Sequence, residues 1–179
     1  MVTKVTKRAP PSAARLHGLP PLLSGDTRLL VLGSFPGAAS LAARQYYAHP
    51  RNQFWPILAA IWHGNADGIC ASSYEKRSNW MLAHGLGLWD VYRACEREGS
   101  LDSSIRNPQL NDFGVLRRRC PLLQAVAHNG GESFRQAHVG EALGLPVYRL
   151  PSTSPANASW RFDAKVAAWR EVFARHGLL

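Results

Sequence analysis

With 179 residues, 46% of them apolar and 18% charged, the chain has the size and composition of one folded domain, not of a disordered tail, a coiled coil or a collagen-like chain. No apolar run reaches the roughly 18 residues that a membrane-spanning helix needs, and three cysteines (Cys70, Cys95, Cys120) without CxxC spacing argue against a disulfide framework, a zinc site or an iron–sulfur cluster and fit a reducing cytosol. The formal charge of +9 sits in the chain ends, +6 over residues 1–60, zero over 61–148 and +3 over 149–179, and Arg outnumbers Lys 17 to 4, which suits bidentate phosphate contacts as well as plain solvated faces.

Residues 1–20, MVTKVTKRAPPSAARLHGLP, are basic, hold three prolines and lack the apolar core of a secretory signal. They read as a flexible arm, with a DNA-contacting arm or an organelle presequence as alternatives, and residues 21–179 as the single domain. Arg28-Leu-Leu-Val-Leu-Gly33 is a buried strand that feeds the loop Gly33-Ser-Phe-Pro-Gly37. A short helix starts near Ser40, and another runs from Gln53 to Trp62, with Phe54, Ile57, Leu58 and Ile61 on one face. Ser73 to His84 is a further helix, stopped by Gly85, and Leu86 to Tyr92 a second strand. Residues 99–114 are polar and loop-like, with a helix near Phe113–Arg119. Leu122 to His128 is a third strand, Glu132 to Leu143 a helix and Val147 to Leu150 a fourth strand. After the loop Pro151–Ser159, the last helix spans Ser159 to His176, with a stripe of Phe162, Val166, Trp169 and Phe173.

Short apolar strands that alternate with helices predict a three-layer α/β/α domain around a short, mainly parallel four-stranded sheet. Ligands bind such sheets at the carboxyl ends of the strands. The loops GSFPG, HNGG and PSTSP all follow strands, so they and the basic chain ends should meet at one rim. GSFPG is neither GxGxxG nor a GK[ST] phosphate loop, no GxSxG elbow is present, and the seven histidines form no HExxH or HxE pattern. Dinucleotide or NTP binding, serine hydrolysis and zinc hydrolysis or deamination are thereby disfavoured.

Four ordered motifs remain: LVLGSFPGAASLAARQYYAHPRNQFWPIL (Leu30–Leu58), GLGLWDVYRACEREGSLDSSI (Gly85–Ile105), AHNGGESF (Ala127–Phe134) and LPSTSPANA (Leu150–Ala158). Together they resemble the hypoxanthine-DNA glycosylases, a branch of the uracil-DNA glycosylase superfamily. The resemblance spans Arg28 to Phe173 and implies the uracil-DNA glycosylase fold, a DNA substrate with a deaminated base, and hydrolysis without cofactor or metal, by a monomer working on cytoplasmic, nucleoid DNA. It implies Asn52 as the catalytic group, Phe54 as the aromatic that stacks on the base and Asn129 as the base reader. By ordinary packing logic these would be a helix N-cap, a core residue and a strand-ending turn. Backbone N–H groups around Gly33, Phe35 and Gly37 would bind a base carbonyl, and Gln45 and His49 are polar candidates for the same pocket.

Ser152, Thr153, Ser154 and Pro155 would grip phosphate or wedge into the emptied stack, helped by Arg149 and Arg161. Their alternative is a rigid connector between strand and helix. Two positions depart from the superfamily pattern. Phe35 stands where an Asp or Asn often activates water, and Leu150 where a His or Asn often precedes Pro-Ser. Excision of uracil, and a damaged-base reader without catalysis, therefore stand as alternatives to hypoxanthine excision.

Overall fold

The computed structural model describes residues 14–62 and 67–179. In chain order the elements are β1 (Arg15–His17), β2 (Leu29–Gly33), α1 (Ala38–Ala43), α2 (Phe54–Trp62), α3 (Asp67–Cys70), α4 (Tyr74–Ala83), β3 (Leu86–Asp90), β4 (Tyr92–Glu96), β5 (Arg106–Leu110), α5 (Leu116–Arg119), β6 (Ala125–Asn129), α6 (Gly131–Phe134), α7 (His138–Glu141), β7 (Val147–Leu150) and α8 (Phe162–Arg175).

The expected sheet is present. Four parallel strands run in the order β3-β2-β6-β7, with Leu29 opposite Leu86 and Gly33 opposite Asp90 on one side of β2, and Leu29 opposite Ala125 on the other. Strand β2 is buried throughout, because both faces of a parallel sheet are covered. Leu29, Val31, Leu86, Leu88, Ala125 and Ala127 face a core closed by α2, α4 and α8, with Phe54, Leu58, Met81, Trp169 and Phe173 fully buried in it. Leu30, Leu32 and Val126 face the opposite core, which Phe35, Trp89, Phe113, Leu116 and Val139 complete.

The second layer departs from the sequence reading. The strand expected over Leu86–Tyr92 breaks at Val91, whose N–H bonds Gly33 O at 2.8 Å, and the chain leaves the parallel sheet. It continues as β4 in a second, antiparallel sheet ordered β1-β4-β5. β5 lies where a loop was expected, and β1 lies inside the expected arm, of which residues 1–13 fall outside the described residues. The helix expected over Glu132–Leu143 divides into α6 and α7, and the last helix starts at Phe162. Among the described residues no helix is long and apolar enough to cross a membrane.

Trp169 locks α8 to the sheet's rim. It is fully buried, meets Phe54 and Phe173 edge-on at 5.9 and 6.1 Å, and donates from Nε1 to Pro151 O at 3.1 Å. Trp169→Ala removes that volume and leaves Pro151 O unpaired. The expected loss is about 3–5 kcal/mol, read by denaturant unfolding; a loss under about 1 kcal/mol would show that the site collapses to fill the hole.

Candidate active site

The carboxyl ends of β2, β3, β6 and β7 open into one cavity of ≈ 940 Å³, lined by Gly33–Ser40, Tyr46, Tyr47, His49, Asn52, Asp90, residues 100–103, Asn129–Gly131, residues 149–157, Ser159, Trp160 and Ala168. The three loops that follow β2, β6 and β7 converge as the parallel topology demands. Of the residues singled out by sequence, Asn52, Gly33, Phe35, Gly37, His49, Asn129, Arg149, Ser152, Thr153, Ser154 and Pro155 line this cavity, whereas Gln45, Phe54 and Arg161 do not.

Asn52 opens α2. Its Oδ1 accepts the Phe54 N–H at 3.0 Å, as a helix cap does, and its Nδ2 has no hydrogen-bond partner among the described residues. Capping fixes the amide while leaving one lone pair and two N–H donors for a ligand or water. His49 turns inward beside it, with Nδ1 accepting the Arg51 N–H at 3.2 Å.

Asn129 ends β6 and is fully engaged. Its Oδ1 accepts the Thr153 N–H at 2.9 Å, while Nδ2 donates to Thr153 Oγ1 at 2.9 Å and to Tyr47 Oη at 2.8 Å. Both donors expected to read a base are thus committed to the pocket wall. Thr153 shares that role: it is fully buried, and its carbonyl accepts from Gln53 N at 3.0 Å. It is therefore a latch and not a phosphate-gripping hydroxyl. Ser152 and Ser154 stay partly open, their Oγ atoms accepting the Ser154 and Ala156 N–H groups at 3.2 Å. Gly130, at φ 103°, lets this loop approach; a Cβ there would stand 2.9 Å from Ser152 Cβ.

Phe54 is fully buried and stands one layer back, stacked on Tyr47 with ring centroids 4.2 Å apart. Tyr47, not Phe54, is the ring of this stacked pair that lines the cavity, and burial pushes its phenol well above the usual range. Gln45 is spent on Arg77, whose Nη2 donates to its Oε1 at 3.2 Å. The Phe35 side chain is buried in the second core, with the Arg97 guanidinium over its ring at 5.0 Å, so only its backbone serves the site.

Two lining carboxylates were given no role by sequence. Asp102 accepts from Ser34 Oγ at 2.6 Å. Asp90 is 4% exposed, and its Oδ2 lacks a hydrogen-bond partner among the described residues. Burial chiefly, and then the charge of Asp102, push its carboxyl up to about 8 against the pull of Arg97. A signal for Asp90 was available: it is a lone carboxylate near the carboxyl end of the predicted strand Leu86–Tyr92, at the ligand-binding rim.

The basic surplus reaches the rim only in part. Arg149 lines the cavity, and the exposed Arg51 and Arg161 adjoin the lining residues Asn52 and Trp160. Arg28, Arg170 and Arg175 bond elsewhere, to His84 O, Ile61 O and Glu171.

The model of the uracil DNA glycosylase superfamily matches residues 20–173. The chain belongs to the uracil-DNA glycosylase superfamily. It is a DNA glycosylase, a hydrolase of N-glycosidic bonds. A protein named hypoxanthine DNA glycosylase from Methanosarcina barkeri is 35% identical over 159 residues, 89% of this chain and 98% of the relative. Its counterpart of the same name from Methanosarcina acetivorans is 34% identical over 160 residues, with the same coverage of both chains. The solution NMR structure of a Methanosarcina acetivorans protein, described as a candidate uracil DNA glycosylase, superposes with a TM-score of 0.80 at 32% identity, over 92% of this chain and 99% of that one. The likeness expected from the four motifs thus holds at the level of family and fold.

Thr153→Val tests the latch. It keeps the shape but removes the acceptor of one Asn129 N–H, at a cost of about 1–3 kcal/mol. The salt dependence of DNA binding should stay as it is. If instead the slope of log K against log salt falls by about 1 with stability unaltered, Thr153 is a phosphate contact after all.

Proposed function

We propose that this glycosylase removes hypoxanthine from deoxyinosine in DNA by direct hydrolysis, as a monomer, in base excision repair of chromosomal DNA. The observation that carries the reading is Asn52, an amide fixed by its capping bond to Phe54 N, on the cavity wall beside Asn129 and Tyr47. The cavity volume suits a base taken out of the stack. Tyr47, backed by the buried Phe54, offers the aromatic wall against which a base stacks. The backbone N–H groups of Phe35 and Gly37 are offered to a base carbonyl.

An amide takes up no proton as a general base would. Asn52 acts instead by orienting water at the sugar C1′ and by turning its dipole toward the positive charge that develops there. Among the described residues no lysine lines the cavity, and the buried Lys165 is spent on Gln53 Oε1 at 2.8 Å and Asn157 O at 3.0 Å. This supports a single hydrolytic step without a Schiff base. For base choice, hypoxanthine presents a carbonyl at C6 where adenine presents an amine. A pocket that donates to this carbonyl rejects adenine, because a buried donor left unpaired is costly. The names of the two Methanosarcina relatives point to the same base.

The test is an excision assay on duplexes that carry one deoxyinosine, deoxyuridine or deoxyxanthosine, with alkaline cleavage at the abasic site. Inosine strands should be cut, and Asn52→Ala should slow the cut about 10²-fold or more while DNA affinity holds. Cutting at uracil alone would overturn the base assignment. Lesion binding without cutting would leave a reader in place of an enzyme. Binding itself should weaken steeply with salt: for about four to six phosphate contacts, log K falls against log salt with a slope of about −4 to −5, and a flat response would remove DNA as the ligand.

A further inference from the structure

Beneath the first loop lies a buried group of charges that the hydrolysis described above leaves unused. Asp90 stands directly opposite Gly33 in the parallel pairing, and its Oδ1 fills the space of the missing side chain, 2.3 Å from where a Gly33 Cβ would be. Gly33 is thus the residue that admits a carboxyl to the cavity floor. Tyr47 Oη lies 3.2 Å from the same point. The rim of the cavity is marked by Leu101 and Trp160, 59% and 47% exposed, whereas Asp90 is nine-tenths buried and still lines the cavity.

The groups around it explain why this carboxyl is free to act. Arg97, just after β4, lies over the Phe35 ring and donates to Pro36 O, and it forms no ion pair with Asp90 among the described residues. Asp102 holds the hydroxyl of Ser34. Tyr47, from the segment before α2, borders the same carboxyl, and the phenols of Tyr46, Tyr47 and Tyr74 are all pushed upward, by burial first and with the charge of Asp90 adding to it. One guanidinium balances one carboxylate. Burial pushes both carboxyls upward, but Asp102 accepts the Ser34 hydroxyl, which favours its charged form, whereas Asp90 has no such donor and is the one that keeps its proton.

We propose that Asp90 is the general acid of this glycosylase, passing its carboxyl proton to a ring nitrogen of the departing purine. The step rests on the glycosylase reading above. The bond from C1′ to the purine nitrogen breaks, and both its electrons leave with the base. The O–H bond of Asp90 breaks as an N–H bond forms on the ring. The water held by Asn52 adds to C1′, and its surplus proton returns through cavity water to the Asp90 carboxylate. Water is thereby divided across the glycosidic bond with no other reactant. A purine that leaves protonated is a far better leaving group than its anion, and the Asn52 amide holds no proton acidic enough to supply that help.

The sign of the pH dependence follows. The active form carries the proton, so activity is complete below about pH 8 and is lost as the pH rises through it. The experiment is single-turnover excision from a deoxyinosine duplex between pH 6 and 10, in about half-unit steps, with wild type, Asp90→Asn and His49→Asn. Wild type should show a falling alkaline limb near pH 8. Asp90→Asn should be slower by about 10²–10⁴-fold at neutral pH and flat across the limb, with a solvent deuterium isotope effect smaller than that of wild type. His49→Asn should keep the limb.

A wild-type rate that stays level to pH 10 overturns the proposal without any variant. So does a limb that moves with His49→Asn and not with Asp90→Asn, or an Asp90→Asn that matches wild type at every pH. In each of these cases hypoxanthine is still excised and the functional reading stands. If wild type excises no base from duplex DNA, both fall together. Asp90→Asn keeps the side chain's shape, and an unchanged melting temperature establishes that its slow rate is chemical.

Discussion

A single side-chain amide joins the loops on which this site depends. Asn129 bonds Thr153 twice and Tyr47 once, tying the end of β6 to the loop after β7 and to the segment that leads into α2. Thr153 O in turn accepts from Gln53 N, beside Asn52. The network of the amide that ends β6 thus reaches the backbone next to the amide that caps α2. Buried polar groups of this kind are costly singly and stabilising when each finds a partner. The pocket wall is accordingly rigid before any substrate arrives, as placement of water at a sugar carbon requires.

Against that satisfied wall, the floor is unsatisfied. Asp90 Oδ2, together with Nε and Nη1 of Arg97, is buried without a partner among the described residues. A native fold retains such groups where they serve a reaction or a strain, since each costs free energy otherwise. Catalysis and stability thus pull in opposite directions within a few residues. The wall supplies order, and the floor holds a carboxyl in a dry place where it stays protonated. Phe35 belongs to this floor: its ring fills the second core under Arg97.

The parallel sheet and its rim were legible in the sequence because a strand covered on both faces reads as an apolar run, and the runs of β2, β6 and β7 end in loops of Gly, Pro or Ser. β5 was not. Its five residues are all exposed and carry no alternation, and Pro108 suits only an edge strand, so nothing distinguishes the segment from a loop. β1 was hidden because it is three residues long and its pairing with β4 is set by a distant segment. In the site, residue type was readable and depth was not. Phe54 and Tyr47 are stacked, and only tertiary packing decides which ring meets the cavity. Thr153 looked like one of three hydroxyls in a polar loop, yet its two bonds with Asn129 turn it alone inward.

The two departures from the superfamily pattern acquire a physical meaning from this arrangement. Phe35 and Leu150 are both buried, each beside a loop that elsewhere carries a polar group, so the open ends of β2 and β7 contribute backbone and not side-chain chemistry. In the proposed mechanism the polar work passes to Asp90 at the end of β3, the strand on the far side of β2 from β7, and to Asn52 just ahead of α2. Such a transfer needs the register that sets Gly33 opposite Asp90, since any side chain at Gly33 would expel the carboxyl. The divided task also fits a purine. Pyrimidines such as uracil leave as comparatively stable anions and need chiefly a stabilised sugar cation. Hypoxanthine gains more from a proton delivered to its ring, and a cavity with a neutral acid on its floor and an amide on its wall is built for that difference.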